Sequence, residues 1–248
     1  MPLQKQFITW LESGLTSILQ QSVTISDTSP VSGGSINSAW CVQTNQGKFM
    51  LKLNSKDAYP DMFRLEADGL VAIRNTQTIG VPDVIWQAHY ADQSFLLMEW
   101  IAPGSNTQQA SQLLGRQLAA MHKHTAVKFG FDNDNYMGSL PQSNRKHATW
   151  TAFFTEERLQ PMVKLAYDKH LITLQDVSDF EQLYRNLPSL FTEEQPAFIH
   201  GDLWGGNYII TADGKPYLID PGVSYGHREF DLAMTTLFGG FSNEFYLA

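Results

Sequence analysis

Residues 198–210 read FIHGDLWGGNYII. This one segment sets His200, Asp202 and Asn207 among glycines and a tryptophan, then runs into apolar residues. Asp202 precedes Asn207 by five positions, and Asp220 closes the later run YLID. The turn TADGKP lies between two β-prone runs, so the spacing predicts a hairpin that brings Asn207 and Asp220 together. An amide oxygen beside a carboxylate is a hard oxygen pair suited to Mg2+ on a nucleotide. Asp202, in a tight glycine-bearing loop just ahead, is placed to accept a proton from an attacking hydroxyl.

An Asp followed five residues later by Asn, with a metal-binding Asp downstream, is the spacing of the kinase catalytic loop. HGD stands where protein kinases have HRD, and IDP where they have DFG. The earlier half of the chain then has to supply a lysine and its partner. Lys52 lies in the β-prone run KFMLKLN, and Glu66 shares a helical stripe with Phe63, Leu70 and Ile73. A carboxylate on an apolar face is costly unless paired, and Lys52 is its natural partner. Lys52 is also the residue to hold the α- and β-phosphates. The turn SGGS, through Gly33, Gly34 and Ser35, offers backbone N–H groups to the same phosphates. The backbone at Glu99, Trp100 and Ile101 is placed to meet the adenine edge. Taken singly, each feature has a plainer reading: an ion pair, a turn, a flexible loop. The ordered set of SGG, Lys52, Glu66, a linker, HGD with Asn207, and IDP favours ATP chemistry.

Around these residues the chain has two unlike halves. Phe7, Trp10, Leu11, Leu15, Ile18 and Leu19 predict an amphipathic helix near the start, where Glu12 argues against a signal peptide. Strands follow, with a hairpin at NQG and a second pair, VPDVIWQAHY and SFLLMEW, joined by AD. DMFRLEADGLVAIRNT is the Glu66 helix, and APGSNT looks like a lobe boundary. The second half is helical in character, with Leu114, Leu118 and Met121 on one stripe and helices expected near 147–169, 173–187 and EFDLAMTTLF. FGFDNDNYMGSLPQSN reads as an ordered loop. The expected architecture is α+β and bilobal: a β-rich lobe over 1–101 and a mainly α catalytic lobe over 102–248.

Bulk properties bound the possibilities. The chain has 248 residues, long enough for two lobes around a cleft. Its net charge of −8 lacks the basic footprint of a nucleic-acid binder. No apolar run approaches the roughly 18 residues a membrane span needs. The single cysteine, Cys41, excludes an internal disulfide framework, fits a reducing cytoplasm and is expected to be packing.

HGDLWGGN followed by YLIDPGVSYGHREFDLAMTTLFGGF resembles the fructosamine kinase (ketosamine-3-kinase) family, and FGFDNDNYMGSLPQSN with Trp150 and FFTEERL resembles that family's middle segment. The resemblance implies a protein-kinase-like fold, ATP and Mg2+ as cofactors, and transfer to the 3-hydroxyl of a ribulosamine or fructosamine. The phosphorylated adduct then decays and frees the amine, a deglycation repair. By motif, Asp202 is the base, Asn207 and Asp220 the magnesium ligands, and Lys52 with Glu66 the ATP anchor. Trp204, two residues past the base, is expected to wall the acceptor, with Asn135, Gln142 and Asn144 reading its hydroxyls. His227 is expected to be structural, Asp231 to brace the catalytic loop, and Arg228 with Glu229 to form a pair. Relatives usually continue for several tens of residues beyond LFGGFSNEFYLA. The last helices of the catalytic lobe are therefore expected to be lacking, with Phe238, Phe241, Phe245 and Tyr246 short of cover. Two alternatives stay open: a kinase for an aminoglycoside or choline-like acceptor, and an inactive nucleotide-binding relative.

Overall fold

The computed structural model describes residues 3–32 and 36–248. Helix α1 (Lys5–Leu19) buries Phe7, Leu11 and Leu15, the stripe its periodicity predicts. Five antiparallel strands follow: β1 (Ile25–Val31), β2 (Ser38–Thr44), β3 (Gly47–Ser55), β4 (Val84–Tyr90) and β5 (Gln93–Glu99). They form one sheet in the order β1-β2-β3-β5-β4. The NQG turn joins β2 to β3, with Thr44 opposite Gly47.

Alternation along β3 gives the sheet two working faces. Phe49, Leu51 and Leu53 join Phe95 and Leu97 of β5 in a core that α1 covers. Met50 and Lys52 face the other way, toward helix α2 (Met62–Asn75) and the second core. Cys41 is buried in β2, as packing requires.

That second core runs without a break from the sheet into the rest of the molecule. Phe63, Leu70 and Ile73 of α2 and Leu96 and Met98 of β5 meet Leu114, Leu118 and Met121 of helix α3 (Gln108–His122). Phe198, Leu203, Leu218, Val223 and Phe245 complete the cluster from the far side. Each such side chain removed from water contributes about 1.5–3 kcal/mol. The segments around His200 and Asp220 are thus seated on the same apolar mass as α2.

The remaining elements are short strands and helices. Strands β6 (Asn135–Met137) and β7 (Leu140–Gln142) form a hairpin where an ordered loop was expected. Pro141 in its second strand explains why the stretch does not read as β. Helix α4 (Trp150–Phe154) passes through a π-helical turn, Thr155–Leu159, into α5 (Gln160–Asp168). Pro161 lacks the N–H that would bond the Glu157 carbonyl in an α-helix, which accounts for the wider turn. Helix α6 (Leu174–Leu190) starts at a Thr173–Asp176 capping box. Strands β8 (Ala197–Ile199) and β11 (Ser224–Gly226) pair with each other, as do β9 (Tyr208–Ile210) and β10 (Pro216–Leu218). Helices α7 (Glu229–Leu237) and α8 (Asn243–Tyr246) close the chain.

Of the aromatic residues expected to lack cover near the end, Phe245 is buried against α3 in the second core. Phe241 packs on Tyr208 at 5.0 Å between ring centroids. Only Phe238 and Tyr246 are exposed, at 69% and 47%. The expectation therefore fails for Phe245, whose short helix folds back onto the lobe. Among the described residues, no helix is long and apolar enough to cross a membrane.

Candidate active site

The loop between β8 and β9 carries His200, Asp202 and Asn207, and its shape is fixed from below by Asp231 of α7. Asp231 is fully buried and accepts hydrogen bonds from the backbone N–H of His200 (2.8 Å) and of Gly201 (2.9 Å). Its Oδ2 also meets His122 Nε2 at 2.9 Å. Burial alone would raise the Asp231 pKa, but these bonds, that of His122 foremost, hold it below the usual carboxylate range. Asp231 braces the loop, as expected, from the first turn of α7 rather than from ahead of it.

His200 is fully buried, which pushes its pKa down. Its Nε2 donates to the Ile219 carbonyl (3.0 Å) and its Nδ1 accepts from the Asp202 N–H (3.2 Å). Both bonds are satisfied by the neutral Nε2–H tautomer. The ring thereby ties the Asp202 loop to the strand end that carries Asp220.

Asp202 is half-buried, and burial raises its carboxyl pKa to about 6 against a smaller downward pull from Asn207. Asn207 Nδ2 donates to the Asp202 carbonyl (2.8 Å) and to Asp202 Oδ2 (3.1 Å). That leaves the Asn207 Oδ1 without a hydrogen bond among the described residues. The hairpin closes as predicted, with the Ile219 N–H on the Asn207 carbonyl at 3.1 Å. Asp220 sits just beyond it at φ +55°, an uncommon backbone state for a non-glycine residue, and its side chain is 44% exposed.

Lys52 and Glu66 meet at 2.6 Å, and Lys52 Nζ also contacts Asp220 Oδ1. Burial works to lower the Lys52 pKa, but the carboxylates of Asp220 and Glu66 outweigh it, and the ammonium is held well above the ordinary lysine range. A charge buried this deeply stays ionised only with such partners. Strand β3, helix α2 and the β10 end thus converge on one cation.

A cavity of about 270 Å³ opens beside this group. Asp202, Asn207, Asp220, Glu66, Trp204 and Asn135 line it, with Tyr136 and Pro221. Sequence reasoning missed Tyr136. Its hydroxyl donates to the Pro60 carbonyl at 3.0 Å, so the β6–β7 hairpin reaches across to the segment that leads into α2. The glycine at 138 between two short runs was the available signal.

Two expected acceptor residues do not face the cavity. Asn144 is buried with its groups already used: Oδ1 accepts from Arg158 Nη2 (2.6 Å), Nδ2 donates to the Asn133 carbonyl (2.9 Å), and its N–H to Asp134 Oδ1 (2.8 Å). Gln142 points into the interior among Trp150, Phe153, Arg158 and Phe230. Asn135 does line the cavity, with Nδ2 on the Val223 carbonyl at 2.8 Å and its buried Oδ1 unpartnered. Arg228 pairs with Glu194 at 3.2 Å rather than with Glu229. His227 is buried and bonds the Thr192 carbonyl at 3.1 Å, a structural role.

Along the linker, the Glu99 N–H is taken by the Asp83 carbonyl at 2.8 Å. Trp100 and Ile101 make no backbone–backbone hydrogen bond among the described residues, and Ile101 is buried. Gly33, Gly34 and Ser35 lie outside the described residues.

The donor set fits a magnesium nucleotide: a free amide oxygen, a partly exposed carboxylate, and a buried ammonium between them and the sheet. Comparison with known proteins shows what the chain is similar to. The family model described as "Fructosamine kinase" matches residues 9–248. A "Probable ketoamine kinase" of Lactiplantibacillus plantarum is 38% identical over 244 residues, covering 97% of this chain and 82% of the relative. The "Protein-ribulosamine 3-kinase, chloroplastic" of Arabidopsis thaliana is 38% identical over 230 residues, covering 88% of this chain and 67% of the relative. A solved fructosamine-3-kinase candidate from Haemophilus somnus 129PT superposes with a TM-score of 0.87 at 28% identity, over 96% of this chain and 79% of that one. A thermostable mutant of the aminoglycoside phosphotransferase APH(4)-Ia shares the fold, with a TM-score of 0.61 at 12% identity over 90% of this chain and 75% of that one.

Proposed function

The chain belongs to the fructosamine kinase family, and from that premise we propose that it transfers the γ-phosphoryl group of ATP to the 3-hydroxyl of ketosamines. The acceptors are ribulosamine- or fructosamine-type adducts, and decay of the phosphorylated adduct frees the amine. The observation that carries this reading is the convergence of Asp202, Asn207, Asp220 and Trp204 on one cavity, beside the Lys52–Glu66 pair. The lobes divide at 101/102, with the linker backbone of Trp100 and Ile101 against the adenine.

Each residue then has one task. Lys52, kept cationic by Asp220 and Glu66, binds the α- and β-phosphates, and Gly33, Gly34 and Ser35 offer N–H groups above them. Asn207 Oδ1 and the Asp220 carboxylate hold Mg2+. The ion, when bound, neutralises charge on the phosphates and helps align the γ-phosphoryl group. Asp202 accepts the proton of the attacking 3-hydroxyl, and burial makes it a stronger base than an exposed aspartate. Trp204 walls the sugar, and Asn135 Oδ1 is an acceptor at the edge of the same space.

The reading is tested by ATP consumption with ribulosyl-lysine and Mg2+, comparing the wild type with Asp202→Asn. The variant is expected to keep ATP affinity while kcat falls by about 10²–10⁴-fold. A kcat within twofold of wild type removes Asp202 as the base.

A further inference from the structure

The two glycines between Trp204 and Asn207 have separate structural reasons. A Cβ built on Gly206 would lie 2.3–2.6 Å from Cη2, Cζ2 and Cζ3 of Trp204. The six-membered part of the indole therefore rests directly on the Gly206 backbone. A Cβ on Gly205 would lie 2.7 Å from the Gly239 carbonyl oxygen and 3.1 Å from the Gly240 Cα. The segment after α7 thus lies flat against the catalytic loop. Tyr208 fastens it there, donating from its hydroxyl to the Gly240 carbonyl at 2.6 Å. From this segment Phe238 meets the Trp204 ring edge-on, with centroids 6.0 Å apart and planes at 75°.

We propose that Gly206 and Phe238 are positioning residues for the acceptor: together they seat the Trp204 indole, so that its orientation in the cleft selects the sugar. The proposal rests on the reading of Trp204 as the acceptor wall. Gly206 is the floor of the seat, because any side chain there displaces the ring. Phe238 is its side, and an edge-to-face aromatic pair of this kind is a modest but directional restraint. The large exposure of Phe238 fits the role, since the residue contributes little to the core and its contact with Trp204 is its one aromatic partner among the described residues.

The test combines a spectroscopic and a kinetic readout. Protein labelled with 5-fluorotryptophan carries six fluorine signals, and Trp204→Phe identifies the one from Trp204. Gly206→Ala and Phe238→Ala are each expected to move or broaden that signal in the ligand-free protein while the other five hold their positions. The KM for ribulosyl-lysine is expected to rise about three- to tenfold in both variants, with the KM for ATP unchanged. Placed in the Trp204→Phe background, Gly206→Ala is expected to add no further rise. An unmoved Trp204 signal overturns the seat. A moved signal with an unchanged acceptor KM, or an equal KM rise in the Trp204→Phe background, overturns the positioning role. Phe238→Ala, at an exposed site, keeps the test valid if Gly206→Ala fails to fold. Wild-type protein that turns over no ketosamine overturns the functional reading instead, and the fluorine signal then decides the seat by itself.

Discussion

At the residue scale, the site works by controlling where charge is buried. Asp202 is held with a raised pKa of about 6 by burial, so the proposed base is ionised at neutral pH and protonated below. The acid limb of kcat/KM for ATP, which reports the enzyme before nucleotide and Mg2+ bind, is expected near pH 6, falling about tenfold per unit below it. A limb near pH 4 in a pH–rate profile would show that burial does not tune this carboxyl. Linkage fixes the sign for stability as well. The folded protein binds this proton more tightly than the unfolded chain does. Asp202 therefore favours the fold at low pH, and that contribution is lost as pH rises through about 6. Asp231 runs the opposite way: its lowered pKa gives stability above the ordinary aspartate range, lost as pH falls through the folded value. Asp231→Ala would leave two buried N–H groups and His122 without their acceptor. A loss of about 3–5 kcal/mol in urea unfolding is expected, and a loss under about 1 kcal/mol would contradict the bracing role.

At the element scale, the hairpin β6–β7 is the part that residue patterns concealed. Its strands are three residues each, and Pro141 speaks against β structure, so only the fold could disclose a strap between the lobes. That strap also turns Gln142 and Asn144 inward, although their residue types suited sugar hydroxyls. The knot of Asn144 with Arg158, Asn133 and Asp134 depends on residues 10 to 14 positions away, which no local pattern encodes. By contrast, Lys52, Glu66, Asp202, Asn207 and Asp220 were legible, because strand and helix periods and a hairpin fix their directions. Tyr136→Phe removes the hydrogen bond from the strap to Pro60. Stability is expected to change by less than about 1.5 kcal/mol. The acceptor KM is expected to rise about two- to tenfold in steady-state kinetics, because the hairpin that carries Asn135 loses its tie to the segment before α2. No change in the acceptor KM would make the strap irrelevant to the acceptor.

At the scale of the whole molecule, one apolar cluster joins α2, β5, α3 and the catalytic segments. The two halves of the chain differ in composition and pattern, and that contrast made the bilobal fold legible. The continuity of the core did not show in the sequence, because it depends on Phe198, Leu203, Leu218 and Phe245 arriving from distant positions. Leu118 lies at its centre, 2% exposed. Leu118→Ala is expected to cost about 2–5 kcal/mol in chemical denaturation, and a smaller loss would mean that the junction closes around the cavity.

The most direct test of the central claim is the position of the new phosphate. Ribulosyl-lysine, ATP and Mg2+ would be incubated with the wild-type protein and followed by phosphorus–proton correlation NMR. The account predicts a phosphorus signal coupled to the proton on carbon 3 of the sugar, decaying as inorganic phosphate and free lysine appear. Phosphate on another hydroxyl, or ATP hydrolysis with the sugar unmodified, would contradict it.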